Sequence, residues 1–210
     1  MKEEQAYKQI KQMIIDGKFS VKEAISINRL AEKFVMSRTP IHRALSRLER
    51  EGYITITPQV GVFVRRPDAR EVQERLLLCV NIDVFLAEQA AKSINELQLE
   101  ELKKLLEAME KPSIEPADYE NLNRNFHTII CRAANNSYAF QTNKINWDYL
   151  NYLNASETLF RGTNRDQSQA EHRMIYYALR DGDPKLTELL MKKHLMRVAQ
   201  FIIGKYGYMD

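Results

Sequence analysis

Long hydrophobic runs are absent from this chain of 210 residues. The nearest approach, at residues 76–80, is far shorter than the roughly 18 apolar residues that suggest a membrane span. The first residues, MKEEQAYKQ, lack the apolar core of a secretory signal. We therefore expect a cytoplasmic protein with no membrane partner.

Cysteine is scarce as well, with only Cys79 and Cys131 in the sequence. Both lie in apolar helical contexts, so buried free thiols in a reducing cytosol are expected rather than a structural disulfide. Internal repeats and low-complexity segments are also lacking. With 44% hydrophobic and 28% charged residues, the composition is that of an ordinary soluble globular chain of one large or two modest domains.

Positive charge is unevenly distributed, although the formal net charge is only +3. Residues 1–70 contain 14 Lys and Arg against 8 Asp and Glu, a net charge of +6. The other 140 residues contain 17 against 20, a net charge of −3. A basic N-terminal third on a mildly acidic remainder fits a domain that binds a polyanion such as DNA.

Residues 37–52, SRTPIHRALSRLEREG, have the pattern of a short amphipathic helix with a basic face. Its apolar stripe, at i, i+3, i+4 and i+7, consists of Ile41, Ala44, Leu45 and Leu48. Ser37 is predicted to cap the helix through its hydroxyl, and Gly52 to end it. A second short helix at 26–34 precedes it across a two-residue link, and the pair predicts a helix-turn-helix.

Two alternating segments at 53–57 and 62–66 follow, and they predict a β-hairpin wing around a turn at 58–61. A helix predicted at 5–16 would pack behind the helix-turn-helix. Beyond Pro67 the periodicity is almost entirely helical, with six helices predicted at 71–93, 95–110, 117–135, 138–160, 166–180 and 184–206. Short loops between them indicate an all-α helical bundle. The predicted fold class is thus mainly α, with domains at 1–67 and 68–210.

Four histidines occur in the chain, and three of them fall on separate helices of the predicted bundle. His42 lies on the basic helix, whereas His127, His172 and His194 lie among apolar neighbours. Any one of the three, taken singly, would be expected to be a core histidine bonded to a carbonyl. Three in one bundle favour a metal site, because facing side chains build such sites in bundle cores. Three nitrogen ligands and an open position suit Zn²⁺ or another borderline divalent ion.

The stretch SRTPIHRALSRLEREGYITITPQVGVFV resembles the signature of the GntR family of bacterial transcription regulators. The resemblance implies a winged helix-turn-helix that binds double-stranded operator DNA. The residues expected to contact DNA are Asn28, Ser37, Arg38, Thr39, His42, Arg43 and Gly61. His42 stands where the family usually has Arg, and Arg43 where it has an acidic residue, so a different operator is expected.

Two segments of the second domain, NLNRNFHTIICRAANN and EHRMIYYALRDGDPKLTELLMKKHL, are similar to motifs of the FadR C-terminal domain (FCD) subclass of that family. The resemblance implies a divalent metal, zinc or nickel, with ligands at Asn123, His127, His172 and His194. Asn123 replaces the subclass's Asp, and its neutral amide predicts weaker metal binding. Cys79 stands where many relatives carry an Arg that faces the cavity.

These features predict a DNA-binding transcriptional regulator, expected to be a repressor, that is controlled by a small-molecule effector. The effector expected from the resemblance is an organic acid bound at the metal in the helical domain. A homodimer is expected because two-fold dimers place two recognition helices on successive major-groove faces.

Two alternatives remain open at this stage. One is a three-histidine metalloenzyme with an activated water, although no HExxH motif is present and Glu171 points about 100° away from His172 on the same helix. The other is a regulator whose bundle only dimerises.

Overall fold

Two compact units, Met1–Asp68 and Ala69–Asp210, make up the chain. The computed structural model describes residues 2–65, 68–152 and 161–206. The first unit contains α1 (Lys2–Ile15), α2 (Ile27–Phe34), α3 (Arg38–Arg50), β1 (Ile54–Thr57) and β2 (Gly61–Val64). The second contains α4 (Ala69–Ala90), α5 (Glu96–Met109), α6 (Pro116–Ala133), α7 (Ser137–Tyr152), α8 (Gly162–Arg180) and α9 (Pro184–Tyr206). These elements form a winged helix-turn-helix followed by an all-α bundle, which confirms the predicted fold class.

Helices α2 and α3 form the helix-turn-helix, and a tight turn joins them. The hydroxyl of Ser26 accepts a hydrogen bond from the Arg29 amide at 3.3 Å and so caps α2. Val35 ends α2 in the left-handed conformation, with φ 51°, which redirects the chain into α3 within two residues. Strands β1 and β2 pair antiparallel, with Ile54 opposite Val64.

Helix α3 buries the predicted apolar stripe, and each of its four residues is at most 1% exposed. Its end has the Schellman geometry, in which the amide of Tyr53 bonds the carbonyl of Leu48 and Gly52 has φ 89°. The predicted hydroxyl cap by Ser37 is wrong, because this side chain makes no capping hydrogen bond. The third helical residue, Pro40, has no N–H to donate to it.

In the second unit, α4 packs against α6, α7 and α9 around one hydrophobic core. Asn95 caps α5 in a full capping box with Gln98. Asp183 caps α9, since its carboxylate accepts the Leu186 amide at 2.9 Å. The predicted helix at 138–160 corresponds to α7 as far as Tyr152, and residues 153–160 lie outside the described residues.

Both cysteines are buried free thiols, as predicted. Burial raises the pKa of the Cys79 thiol and that of Cys131, so both stay protonated at neutral pH. Within the ranges that the structure describes, no helix combines the length and apolar character that a membrane crossing requires.

Candidate metal centre and DNA-binding surface

Three helices of the bundle each contribute one histidine to a single cluster. His127 comes from α6, His172 from α8 and His194 from α9, and their candidate ligand atoms all lie within 4.8 Å of one another. The rings of His127 and His194 are stacked, with centroids 5.4 Å apart. His172 and His194 are 0% and 2% exposed. The side chains that the sequence places on three separate helices therefore meet at one point.

The spacing of two ring nitrogens fits a tetrahedral ion. The Nε2 atoms of His172 and His194 lie 3.2 Å apart. Ligand nitrogens at about 2.0–2.1 Å from Zn²⁺ are separated by about 3.3 Å along a tetrahedral edge. A divalent ion bound between the two rings would thus need little movement of either one.

The protonation state of the cluster also fits metal binding. Burial, together with the smaller effect of the nearby His194, lowers the pKa of His127 to about 3. Burial likewise lowers the pKa of His172 and of His194. Neutral imidazole is the form that ligates metals, so all three side chains are ready for it at neutral pH.

A carboxylate orients one of these histidines from behind. Glu171 Oε2 accepts a hydrogen bond from Nδ1 of His194 at 2.6 Å, and Arg197 donates to the same oxygen at 2.7 Å. Burial acts to raise the pKa of Glu171, but the bonds from His194 and Arg197 prevail and lower it to about 2. Metal-binding histidines characteristically donate their second N–H to such a carboxylate.

The sequence did not reveal this role of Glu171. The prediction that it points away from His172 considered α8 alone, whereas the side chain reaches His194 on the neighbouring α9. Glu171 binds Nδ1 of His194, the ring nitrogen that lies away from His172. Glu171 therefore orients the ring and does not act as a base on a water at the cluster. The only sequence signal was its position beside a candidate ligand.

A cavity of about 300 Å³ adjoins the histidine cluster. Asn123 lines it together with His127, one turn further along α6, and with His194. Apolar lining comes from α7 and α9, and basic lining from Arg124, Arg132 and Lys144. Cys79 is not among the described residues that line this space, so its position supplies no group to the cavity there.

A buried carboxylate that the sequence analysis missed lies on another wall of the cavity. Asp83 of α4 is 3% exposed and accepts hydrogen bonds from Trp147 Nε1 at 2.6 Å, from Cys131 Sγ at 3.2 Å and from Asn143 Nδ2. Burial raises the pKa of Asp83 to about 6, although these three donors oppose the rise. The signal in the sequence was an acidic residue inside the apolar stripe of α4.

The residues expected to contact DNA lie on the first unit. Six of the candidate side chains are exposed: Asn28 on α2, and Ser37, Arg38, Thr39, His42 and Arg43 at and along the first half of α3. Gly61 begins β2 with φ 149°, and a Cβ there would lie 3.0 Å from Cβ of Ala24. The fold itself therefore requires glycine at this point of the wing.

Not every basic residue of α3 is available to a partner. Arg47 lies over the ring of Tyr7 at 3.6 Å and bonds Glu51 at 3.0 Å and Glu4 at 2.9 Å. Its guanidinium thus fastens α3 to α1. Arg43 forms a 3.6 Å ion pair with exposed Glu3, a contact that contributes little in water.

Comparison with known proteins agrees with both units. The family model for bacterial regulatory proteins, gntR family, matches residues 2–64, and the FCD domain model matches residues 76–197. The chain belongs to the GntR family and carries an FCD domain. GntR proteins of this type are DNA-binding transcriptional regulators and not enzymes, so the metalloenzyme alternative is excluded.

Individual relatives match this chain over nearly its whole length. It is 24% identical over 209 residues to the HTH-type transcriptional repressor RspR of Escherichia coli, covering 95% of this chain and 88% of RspR. It is 27% identical to the Uxu operon transcriptional regulator of E. coli, covering 92% and 84%. The structure of E. coli McbR/YncC has the same fold, with a TM-score of 0.74 and 20% identity over 98% of this chain and 99% of McbR/YncC.

Proposed function

We propose that this protein is a homodimeric, cytoplasmic repressor whose operator binding is controlled by a small organic acid bound at a divalent metal in the FCD domain. Zinc and nickel are the proposed metals. The observation that carries the proposal is the convergence of His127, His172 and His194 beside a cavity of about 300 Å³. Repression is proposed because the similar RspR is named a repressor.

The donor set supports a metal with an open position. The three imidazoles would hold the ion, and Asn123 would offer an amide oxygen from the same wall of the cavity. A bound divalent ion supplies a Lewis-acidic site for a carboxylate oxygen. Because all of these ligands are neutral, the ion would keep its full charge toward an anionic effector.

Charge around the cavity supports an acid as the effector. Arg124, Arg132 and Lys144 line the cavity and are exposed to solvent. Arg124 and Lys144 already pair with carboxylates, Glu120 and Asp148, at 2.9 Å each. These cations therefore form a screened basic rim that attracts an anion without holding it tightly.

Operator binding is proposed to use the exposed face of α3, with Arg38 and Arg43 as the main base or phosphate contacts. An operator can be selected from random duplexes, and the variants compared on it. We expect Arg38→Ala to weaken binding, and Arg43→Ala to relax base preference at one position by about 1–3 kcal/mol. Arg50→Ala, at the other end of α3, is the matched control.

If Arg43→Ala instead weakens all sequences equally and lowers the salt slope by about one, its contact is to phosphate alone. Unchanged binding by Arg38→Ala would contradict the assignment of α3 as the recognition helix.

The effector half of the proposal is tested with the same operator. Chelator-stripped protein, reloaded with zinc or nickel, is titrated onto operator DNA with and without organic acids. We expect an acid to change operator affinity only in metal-loaded protein. An equal effect without metal, or none with it, would contradict metal-dependent control.

The proposed dimer has candidate contact residues on the bundle surface. α4 exposes Leu78 and Phe85, which are 48% and 44% exposed and lie two turns apart on one face of the helix. Light scattering at micromolar concentration should give twice the monomer mass. A monomer under these conditions, with and without DNA, would contradict the proposal.

A further inference from the structure

Two residues that line the cavity, Asp83 and Asn143, carry hydrogen-bond acceptors without a full set of donors. Oδ1 of Asn143 is buried and has no hydrogen-bond partner among the residues described. Oδ2 of Asp83 accepts Trp147 Nε1, its one hydrogen bond among these residues, although a carboxylate oxygen can accept two. Buried acceptors normally have at least one hydrogen-bond partner, so Oδ1 of Asn143 calls for a donor, and Oδ2 of Asp83 can accept one more.

The orientation of the Asn143 amide follows from its other contact. Its Nδ2 donates to Oδ1 of Asp83, which also accepts Cys131 Sγ. A flipped amide would set two acceptor oxygens against each other. The unsatisfied oxygen of Asn143 and the partly satisfied oxygen of Asp83 therefore belong to two residues that are hydrogen-bonded to each other through their other polar atoms.

The charge of Asp83 is also unmatched among the described residues. No lysine or arginine of the described ranges forms an ion pair with it, and its three donors are an indole, a thiol and an amide. The cations that line the cavity lie on exposed parts of α6 and α7. A buried carboxylate without a cation costs free energy that a cationic partner offsets.

We propose that Asp83 and Asn143 form an amine-binding subsite, so that the effector is a small amino acid whose ammonium group bonds both acceptors. This inference rests on the proposed function, which supplies the site for the carboxylate. An ammonium has three donors and one positive charge, so it satisfies both acceptors and matches Asp83. A hydroxyl has one donor, satisfies one acceptor and brings no charge.

Matched ligands test the inference on the wild-type protein. Succinate, malate and aspartate share a four-carbon dicarboxylate skeleton and differ by a hydrogen, a hydroxyl or an ammonium group. Propionate, lactate and alanine form the same series with one carboxylate. Titration calorimetry with zinc-loaded, full-length protein should show the amino acid of a series binding at least about tenfold more tightly than its unsubstituted acid, with the hydroxy acid between them.

Variants locate the effect on the residues named. Asn143→Ala should remove most of the preference for the amino acid, whereas Gln141→Ala, at an exposed position of the same helix, should keep it. The comparison among ligands on wild-type protein stands even if Asn143→Ala fails to fold.

Four results would overturn the inference. Equal binding of all members of both series, or a hydroxy acid preferred to its amino acid, would do so while leaving an acid-controlled regulator intact. A full amino-acid preference in folded Asn143→Ala would place the ammonium elsewhere. Absence of binding by every acid would remove the proposed function, and this subsite with it.

Discussion

Glu171 Oε2 lies 2.6 Å from Nδ1 of His194, and this contact decides which nitrogen of the ring carries the proton. With Nδ1 donating to the carboxylate, Nε2 of His194 is left with its lone pair directed at Nε2 of His172, 3.2 Å away. The Nε2–H of His172 can donate to that lone pair. Both Nε2 atoms would hold a divalent ion once the proton of His172 moves to its Nδ1, which has no hydrogen-bond partner among the described residues. The contact between Glu171 and His194 would therefore prepare one ligand of the proposed metal site before any ion binds.

Removing the charge of Glu171 should weaken metal binding. We expect Glu171→Gln to lower zinc affinity by about 10–100-fold, because the amide neither fixes the His194 tautomer nor raises its basicity as the carboxylate does. Glu110→Gln is the control. Glu110 accepts a hydrogen bond from Arg173, which lies on α8 like Glu171, and this contact is away from the cluster. Competition with a chromophoric chelator measures the change. Equal affinities of the two variants would contradict the orienting role of Glu171.

Replacing Asn123 with aspartate should strengthen metal binding and weaken acid binding. A carboxylate in place of the amide adds one negative charge beside the ion, which attracts the cation and repels an anionic effector. Both halves are measured by titrating metal into chelator-stripped wild type and Asn123→Asp, and then adding the acids. If the two proteins bind metal equally, Asn123 is not a ligand.

The two serines at the starts of α2 and α3 should respond differently to the same substitution. Ser26→Ala should destabilise the protein by about 1 kcal/mol, because Ser26 caps α2 through the Arg29 amide. Ser37→Ala should leave stability unchanged, since Ser37 makes no capping bond, yet weaken operator binding through a lost phosphate contact. Urea unfolding and DNA titration separate the two effects. A stability loss in Ser37→Ala would show that its hydroxyl does cap α3.

Burial of Asp83 should make stability depend on pH. Its pKa is raised from 3.8 to about 6 on folding, so the folded state holds the proton more tightly than the unfolded chain. The contribution of Asp83 to the free energy of unfolding is complete below pH 3.8 and is lost as the pH rises through about 6. The loss is on the order of 3 kcal/mol in all. Chelator-stripped Asp83→Asn should lack this fall between pH 4.5 and 7.5, whereas Asp118→Asn, at an exposed carboxylate, should retain it. Parallel curves for wild type and Asp83→Asn would contradict a buried titrating group.

Local patterns were sufficient to predict the helices and to place three histidines on three of them. The stripe of α3 and the caps at Asn95 and Asp183 depend on spacings of three or four residues, which the sequence displays directly. The link between Glu171 and His194 joins residues 23 positions apart on different helices, and it depends on how α8 and α9 pack. Asp83 similarly meets Asn143 and Trp147 on a helix that is distant in sequence, so no local spacing could reveal these contacts. The predicted Ser37 cap was wrong, and one local reason is that Pro40 offers no amide proton at the third position of α3.

Calorimetric titration of zinc into chelator-stripped, full-length protein tests the proposed metal centre most directly. We expect one ion per chain, and a large loss of affinity in the double variant His127→Gln/His194→Gln, with its folding verified by circular dichroism. Absence of zinc and nickel binding by wild type, or binding by the folded double variant as tight as by wild type, would contradict it. The three histidines would then be ordinary core residues.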